Sequence, residues 1–591
     1  MLKIVLFCGG SGGKALQGGF DSLFDYGNYQ LNAIINAYDN GKSTGVCRRI
    51  FDSDILGPSD LRKNQLTQYK LKYKNELKNP DSRESRLYEL FELRMDGSDY
   101  QNYYDKAMDL IDGADYLEEK EKELFCSWID HFFYADKDHK ELRKGIEEIK
   151  FKDFSLSNIF YASCASLNGN SLEKAGQRIS ELLDIEYRVH MISDINLFLY
   201  NRTESGYLIT DEGELVAWNN PNDKVTEAIL KKKDGTDYLP KVGEDSFFDI
   251  ESVIKEADLM IFSSGTQWSS LIPTYMHEGF NELIRSCKAK KYLVMNNKED
   301  LDCKGVGAED LLQIIERYLD LTDIKIVLND NADSSMNHVS LDRLQIHGVL
   351  SEKDNPKHDP EAVVRLIMRD FYDLHRDDYQ LVSDLDGTLW DEKMEDKTIG
   401  IKCMELFKGV ILSGNNYRHV YDVVRQYYRR HTGENIYCNY GNTYFTLEED
   451  DGGKTLSEEF RIPKPLIDKL EAVPEYRGKI TVRGEAILTI KPLTNREKHL
   501  ETISELIREY PDFKAEIAGH TSIDVMKNDF SKEKTFNLII EKENLDRERI
   551  LYLGNELTKG NDEAILRCRV QTVEVRDVFE AYLFLKTFYS D

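Results

Sequence analysis

The sequence predicts an α/β protein made of two parallel-sheet units. Two apolar runs, Lys3–Phe7 and Tyr379–Val382, each read as a strand entering a turn dense in glycine or aspartate, the layout that faces a ligand at the carboxyl edge of a parallel sheet. Further short apolar runs, at 33–36, 292–295, 409–412 and 550–553, alternate with stretches of helical pattern. The length, 591 residues, supplies about four structural units.

Composition narrows the function. Net charge is -29 and charged residues make up 31%, so a general nucleic-acid or membrane-surface binder, whose footprint is basic, is not expected. A nucleotide ligand remains compatible, because a glycine turn at a helix start and Mg2+ hold phosphates in an acidic protein. The nine cysteines are scattered and never spaced CxxC, which suits reduced thiols in a cytoplasmic protein without a zinc site. The apolar run at 4–8 is too short for a signal peptide, and no run approaches 18 apolar residues.

Taken in order, the Lys3–Phe7 strand leads into Gly9, Gly10, Ser11, Gly12 and Gly13, with a helix expected from Ala15. Backbone N–H groups in such a turn point at an anion, although the spacing is neither GxGxxG nor GxxxxGK[ST]. The strand at 33–36 runs into Asp39, Asn40, Gly41, Lys42, Ser43 and Thr44, and Asp60 follows in the stretch 56–64. These residues suit metal or phosphate binding, and equally suit helix caps and turns. Residues 70–152 read as a helical insertion whose aromatics, Tyr100, Tyr103, Tyr104, Phe132, Phe133 and Tyr134, are expected to pack as core. A helix is expected over 171–183 and paired strands over 189–200, with Asp194 and Asn196 as candidate binding positions. His338 has no metal spacing and reads as structural.

The ordered strings GGSGG, DNGKSTG and GPSDLRKN, then Leu156–Phe160, Asp258–Pro273 and Lys357–Pro360, resemble the CofD/YvcK family of 2-phospho-L-lactate transferase-like proteins. The resemblance implies a Rossmann-like fold over 1–375. It implies a nucleotide-diphosphate conjugate as ligand, guanylyl in the transferases and a UDP-sugar in the regulatory branch. It adds Asn158, Ser264, Gly265, Thr266 and Ser269 to the nucleotide- and phosphate-binding set. Asn40 and Lys42 stand where that family has aspartate and glycine, a gain of two positive charges.

In the second half, Asp384 and Asp386 are separated by one residue at a strand end, so one side of the chain can present both carboxylates. Paired carboxylates suit Mg2+, with one as nucleophile and the other handling protons. Ser413 closes another short strand, and Lys532 and Lys534 lie at a helix start. Asn555 follows a third strand, with Asp562 beyond it in Gly560-Asn561-Asp562. The string Val382–Leu389 resembles motif I of the haloacid dehalogenase (HAD) phosphatases, and the later segments resemble motifs II to IV in order. That resemblance implies a hydrolase over 376–591 with a large α/β cap at about 437–520. It gives Asp384, Asp386, Ser413 and Lys532 catalytic roles, and an Mg2+ site at Asp384, Asp386, Asn555 and Asp562. Arg483, on an expected cap strand, could meet a substrate anion or sit on the surface.

The combined expectation is a bifunctional enzyme, a transferase acting on a nucleotide-linked substrate fused to a phosphatase with an aspartyl-phosphate intermediate. The alternative is a nucleotide-sugar-binding regulatory protein carrying a phosphatase or a degenerate HAD scaffold. Expected partners are a small phosphorylated substrate and a nucleotide or nucleotide-sugar, with no nucleic acid and no membrane, and a homodimer is one expected assembly.

Overall fold

The computed structural model describes residues 1–590 except 135–150, 219, 221, 301, 354, 428–434, 449–451, 492, 519–520, 559 and 561, and only the backbone of Lys42. The chain forms two compact units, Leu2–Phe371 and Tyr372–Asp591 with Met1. Among the described residues no helix is long and apolar enough to cross a membrane.

The Leu2–Phe371 unit is built on a seven-stranded sheet whose strand pairs are all parallel. The order is Gln345–Gly348, Ile324–Asn329, Lys290–Val294, Leu259–Phe262, Lys3–Phe7, Gln30–Ile35 and Val189–Met191. Central strands such as Lys3–Phe7 and Leu259–Phe262 are almost wholly apolar and buried, as expected for a parallel sheet covered on both faces. From Lys3–Phe7 the chain adds strands in one direction, then returns beside it with Leu259–Phe262 and continues in the other. The crevice between these two strands is the topological switch point, where open α/β sheets bind ligands.

Two expectations for this unit are corrected. The helix begins at Gly10, not Ala15, and runs to Phe24, so the glycines form its first turns rather than a loop. They are required by crowding: a Cβ on Gly10 would lie 2.6 Å from Lys63 and 2.7 Å from Asp60, and one on Gly12 would strike the Ser264 carbonyl. Residues 189–200 are not paired with each other. Val189–Met191 joins the parallel sheet, while Phe198–Thr203 pairs antiparallel with Leu208–Ile209 and Val225–Lys231 in a separate sheet. Ser193, Asp194 and Asn196 interrupt the apolar run, and the chain there changes sheets.

The insertion contains helices Arg83–Glu92, Tyr100–Asp112 and Glu119–Tyr134; its stretch 135–150 lies outside the described residues. Tyr103, Phe132 and Phe133 are buried and pack with Phe151 and Phe154, with Tyr103 and Phe151 centroids 5.0 Å apart.

The Tyr372–Asp591 unit also has a seven-stranded sheet. Its order is Lys454–Thr455, Thr443–Phe445, Ile436–Cys438, Val410–Leu412, Gln380–Ser383, Ile550–Gly554 and Gln571–Glu574. The last five strands run parallel, and Thr443–Phe445 pairs antiparallel with both Ile436–Cys438 and Lys454–Thr455. Here the switch point lies between Gln380–Ser383 and Ile550–Gly554. A second sheet, Ile480–Arg483, Ile487–Ile490, Ser522–Lys527 and Phe513–Ala518, is antiparallel and has its own core around Leu466, Leu488, Ile503 and Val525. Its limits differ from the expected 437–520. Ile436–Cys438 and Thr443–Phe445 extend the large sheet, and Ser522–Lys527 completes the small one by hydrogen bonding to Ile487–Ile490.

Candidate functional site

In the Tyr372–Asp591 unit the candidate site grows from the end of Gln380–Ser383. The Asp384 N–H donates to the Leu553 carbonyl at 2.9 Å, which ties it to the neighbouring strand across the switch point. Gly387, at φ +80°, turns the chain; a Cβ there would strike the Asn555 side chain. Asp384 is 3% exposed. The fully buried Lys532, in the first turn of Lys532–Lys542, donates to Asp384 Oδ1 at 3.0 Å and to Asp562 Oδ1. The Tyr552 hydroxyl donates to the same Asp562 oxygen at 2.9 Å. Burial raises the Asp384 carboxyl pKa to about 7, and the Lys532 ammonium opposes that rise only in part. Lys534 turns elsewhere, to Asp529 and Glu459 at 2.6 Å, so Lys532 is the lysine that reaches Asp384 and Asp562.

Asp386 lines the same cavity as Asp384. Its Oδ2 accepts from Ser413 Oγ at 3.0 Å, and its Oδ1 pairs with His419 Nε2 at 2.7 Å. Burial alone would raise this carboxyl; the bonds from His419, Asn415 and Ser413 outweigh it and hold the pKa low. The same bond raises His419. The Asn415 N–H donates to Ser413 Oγ at 3.0 Å, so the strand end Val410–Leu412 and the turn after it orient the hydroxyl.

Asp384, Asp386, Ser413, Lys532 and Asp562 are thus brought together. Asn555 lies beside them through Gly387, but its Oδ1 accepts from Thr388 Oγ1 at 3.3 Å. Asn561 is outside the described residues. His419 and Tyr552 were not anticipated: the first is a lone histidine in a helix, the second one apolar-flanked residue of a strand, and neither spacing announces a site. The carboxylates offer oxygen donors of the kind a hard cation takes. Asp562 Oδ2 is buried without a hydrogen-bond partner and is open to such a cation, which takes one or two carboxylates beside water and phosphate; among the described residues the group that brings three ligand atoms within 4.8 Å of one another is Asp300, Asp302 and Cys303 instead.

In the Leu2–Phe371 unit, four helices begin near the switch point, at Gly10, Lys42, Ser59 and Leu156, and none has a side-chain cap. Their first-turn N–H groups are donors without intrahelical partners. The crowding around Gly9, Gly10 and Gly12 joins this turn to Ser270, Asp60 and Ser264. Thr44 Oγ1 and Ser59 Oγ are 2.5 Å apart, and Asn158 Nδ2 donates to Ser43 at 3.2 Å and Ser59 at 3.3 Å. Asp39, Asn40 and Ser269 line one small cavity. Burial raises the Asp39 pKa, opposed by the Gly41 N–H at 2.8 Å. Gly265 N–H is already donated to Asn296, and Thr266 Oγ1 is bonded to Ser270. Ser11 and Gly13 lie in the first helix, where a Cβ on Gly13 would strike Cys8 Sγ. The Lys42 side chain lies outside the described residues. Lys63, 3.0 Å from Asp60, was not anticipated; its spacing of three along a helix start was the available signal.

A family model described as 2-phospho-L-lactate transferase CofD matches residues 4–369. The chain belongs to the CofD family. A candidate gluconeogenesis factor of Thermotoga maritima is 28% identical over 188 residues, covering 32% of this chain and 55% of that protein. The gluconeogenesis factor of Halalkalibacterium halodurans is 25% identical over 162 residues, covering 27% and 46%. The chain therefore spans about half the length of the curated relatives it matches. A crystal structure of a Bacillus halodurans protein aligns with 62% of this chain and 99% of its own, at 17% identity and TM-score 0.41. The sucrose-phosphatase of Synechocystis aligns with 34% and 83%, at 15% identity and TM-score 0.25.

Proposed function

We propose that the Tyr372–Asp591 unit is an Mg2+-dependent phosphomonoester hydrolase. The observation that carries this reading is the buried Lys532 ammonium between Asp384 and Asp562, with Asp386 on the same cavity between Ser413 and His419. Asp384 attacks phosphorus, the ester P–O bond breaks, and an aspartyl-phosphate forms. The leaving oxygen takes a proton through Asp386, beside which His419 Nε2 carries one. In the second half Asp386 accepts a proton from the attacking water, phosphate leaves and Asp384 is restored. Lys532 keeps Asp384 aligned and offsets charge as the phosphoryl oxygens approach. Asp384, Asp386 and Asp562 would hold Mg2+, whose contribution when bound is to neutralise phosphoryl charge.

For the Leu2–Phe371 unit we infer binding of a nucleotide-diphosphate conjugate at the switch point, with transfer of one part to an acceptor. The uncapped helix starts support anion binding. A second reading, a nucleotide-sugar-binding regulatory module without turnover, is favoured by Asn40, a neutral amide next to the half-buried carboxylate of Asp39. Mg2+-dependent phosphate release from a panel of phosphomonoesters, with Asp384→Asn as control, tests the first unit's reading; no release above that control removes it. Bound-nucleotide turnover with and without acceptor separates the two readings of the other unit.

A further inference from the structure

The walls of the hydrolase cavity select among phosphomonoesters, if the phosphohydrolase reading above holds. The cavity holding Asp384 and Asp386 has a volume of about 960 Å3, and its second wall comes from the four-stranded antiparallel sheet through Arg483, Thr489, Lys491 and Asp524. Asp524 is 1% exposed. Arg483 Nη2 donates to its Oδ2 at 2.6 Å, Thr489 Oγ1 donates to its Oδ1 at 2.6 Å, and Arg483 Nε donates to Thr489 Oγ1 at 2.9 Å. The guanidinium is fixed by Nε and Nη2, which leaves Nη1 without a protein acceptor among the described residues. Lys491 is exposed at the end of Ile487–Ile490, and its ammonium has no ion pair among the described residues.

Asn439, 2% exposed, lines the same cavity and packs against Gly484, the neighbour of Arg483. Its Nδ2 donates to Thr443 Oγ1 at 2.9 Å, while its Oδ1 is buried and receives no hydrogen bond. Asn439 and Tyr440 both hold left-handed backbone, at φ +52° and +56°, a conformation that costs energy for residues with a side chain and persists where the surroundings enforce it. The wall therefore presents two cationic donors and one acceptor that lacks a donor. Asp524 neutralises Arg483, so the Lys491 charge is left uncompensated. A neutral hydroxylated leaving group would satisfy Asn439 but leave that charge unmatched; an acidic group matches it and suits the free edge of the guanidinium.

We propose that the phosphomonoester taken up here carries a second acidic group, a carboxylate, bound by Arg483 and Lys491, with a hydroxyl donated to Asn439 Oδ1. The substrate class is then a phosphorylated hydroxy acid or sugar acid, in preference to a neutral sugar phosphate.

The test compares matched substrates on the full chain with Mg2+: 6-phosphogluconate against glucose 6-phosphate, and 3-phosphoglycerate against glycerol 3-phosphate. The expected result is a kcat/KM ratio of at least about tenfold for the acid in one or both pairs, expressed mainly in KM, as a charge-assisted bond supplies. Lys491→Gln and Arg483→Gln should each shrink that ratio several-fold. Arg483→Gln leaves Asp524 buried without its partner and endangers folding, so the exposed Lys491→Gln keeps the test decisive. A ratio of one or less in both pairs, or a preference unchanged in Lys491→Gln, overturns the inference alone. Absence of Asp384-dependent turnover on all four compounds removes the hydrolase reading and the inference with it.

Discussion

The Leu2–Phe371 and Tyr372–Asp591 units each place a candidate site where the strand order of a parallel sheet reverses, yet they furnish that crevice with different groups. The first uses glycines, small hydroxyls and uncapped helix starts, with the half-buried carboxylates of Asp39 and Asp60 beside them. The second uses buried charge: Asp384, Lys532 and Asp562 in contact, with Asp386 and His419 beside them. A ligand that arrives with its own negative charge needs donors and room for close backbone approach. A bond-breaking site needs a nucleophile, a proton path and an internal countercharge. The same topology accommodates both because the switch point fixes where loops converge and not what they carry.

The sharpest way to break this contrast is at the nucleophile. Asp384→Asn should lower phosphate release by at least about 10³-fold, since the amide cannot form the acyl phosphate; a loss under tenfold would assign the chemistry elsewhere. Next in size is the internal countercharge. Lys532→Met strands two buried carboxylates and should cost about 3–5 kcal/mol in denaturant unfolding. Lys534→Met, whose partners are partly exposed, should cost under about 1 kcal/mol. Equal effects would mean that Lys532 is not the buried bridge.

The first unit has its own electrostatic test, away from its candidate site. Glu173 is fully buried, and burial first, then Asp194, raises its carboxyl pKa from 4.5 to about 8. Folded protein keeps that proton while unfolded chain releases it near pH 4.5, so this contribution to stability is present below pH 4.5 and lost as pH rises to about 8. Glu173→Gln should flatten that fall, by a few kcal/mol at most; an unaltered profile would show that Glu173 does not titrate in this range. Two glycines of one helix give a smaller contrast. Gly12→Ala drives a methyl into the Ser264 carbonyl and should cost about 1–3 kcal/mol. Gly18→Ala meets no atom within 4 Å and should stabilise by about 0.5–1 kcal/mol. If both stabilised, the glycines would serve flexibility and not close approach.

These residues also mark where the sequence was readable. Asp384 and Asp386 stand two apart after a strand, and the glycines stand after another, so local spacing announces them. Lys532 could not be chosen over Lys534 by spacing, because two lysines one residue apart at a helix start are locally equivalent; only one points inward. His419 and Tyr552 meet their partners across 33 and 10 residues, distances over which no local pattern operates.

By itself the sequence determined the α/β class, the alternation of strands and helices, the strand-end positions of the paired carboxylates and the resemblance to the CofD family, because periodicity, turn chemistry and motif order are local. Tertiary structure alone decided which lysine bridges the aspartates and where the first helix starts. It also decided that residues 189–200 divide between two sheets, and that Arg483 and Asp524 face a cavity from the second one. Each of those outcomes depends on contacts between segments far apart in the chain, set by packing and by the need to pair buried charge.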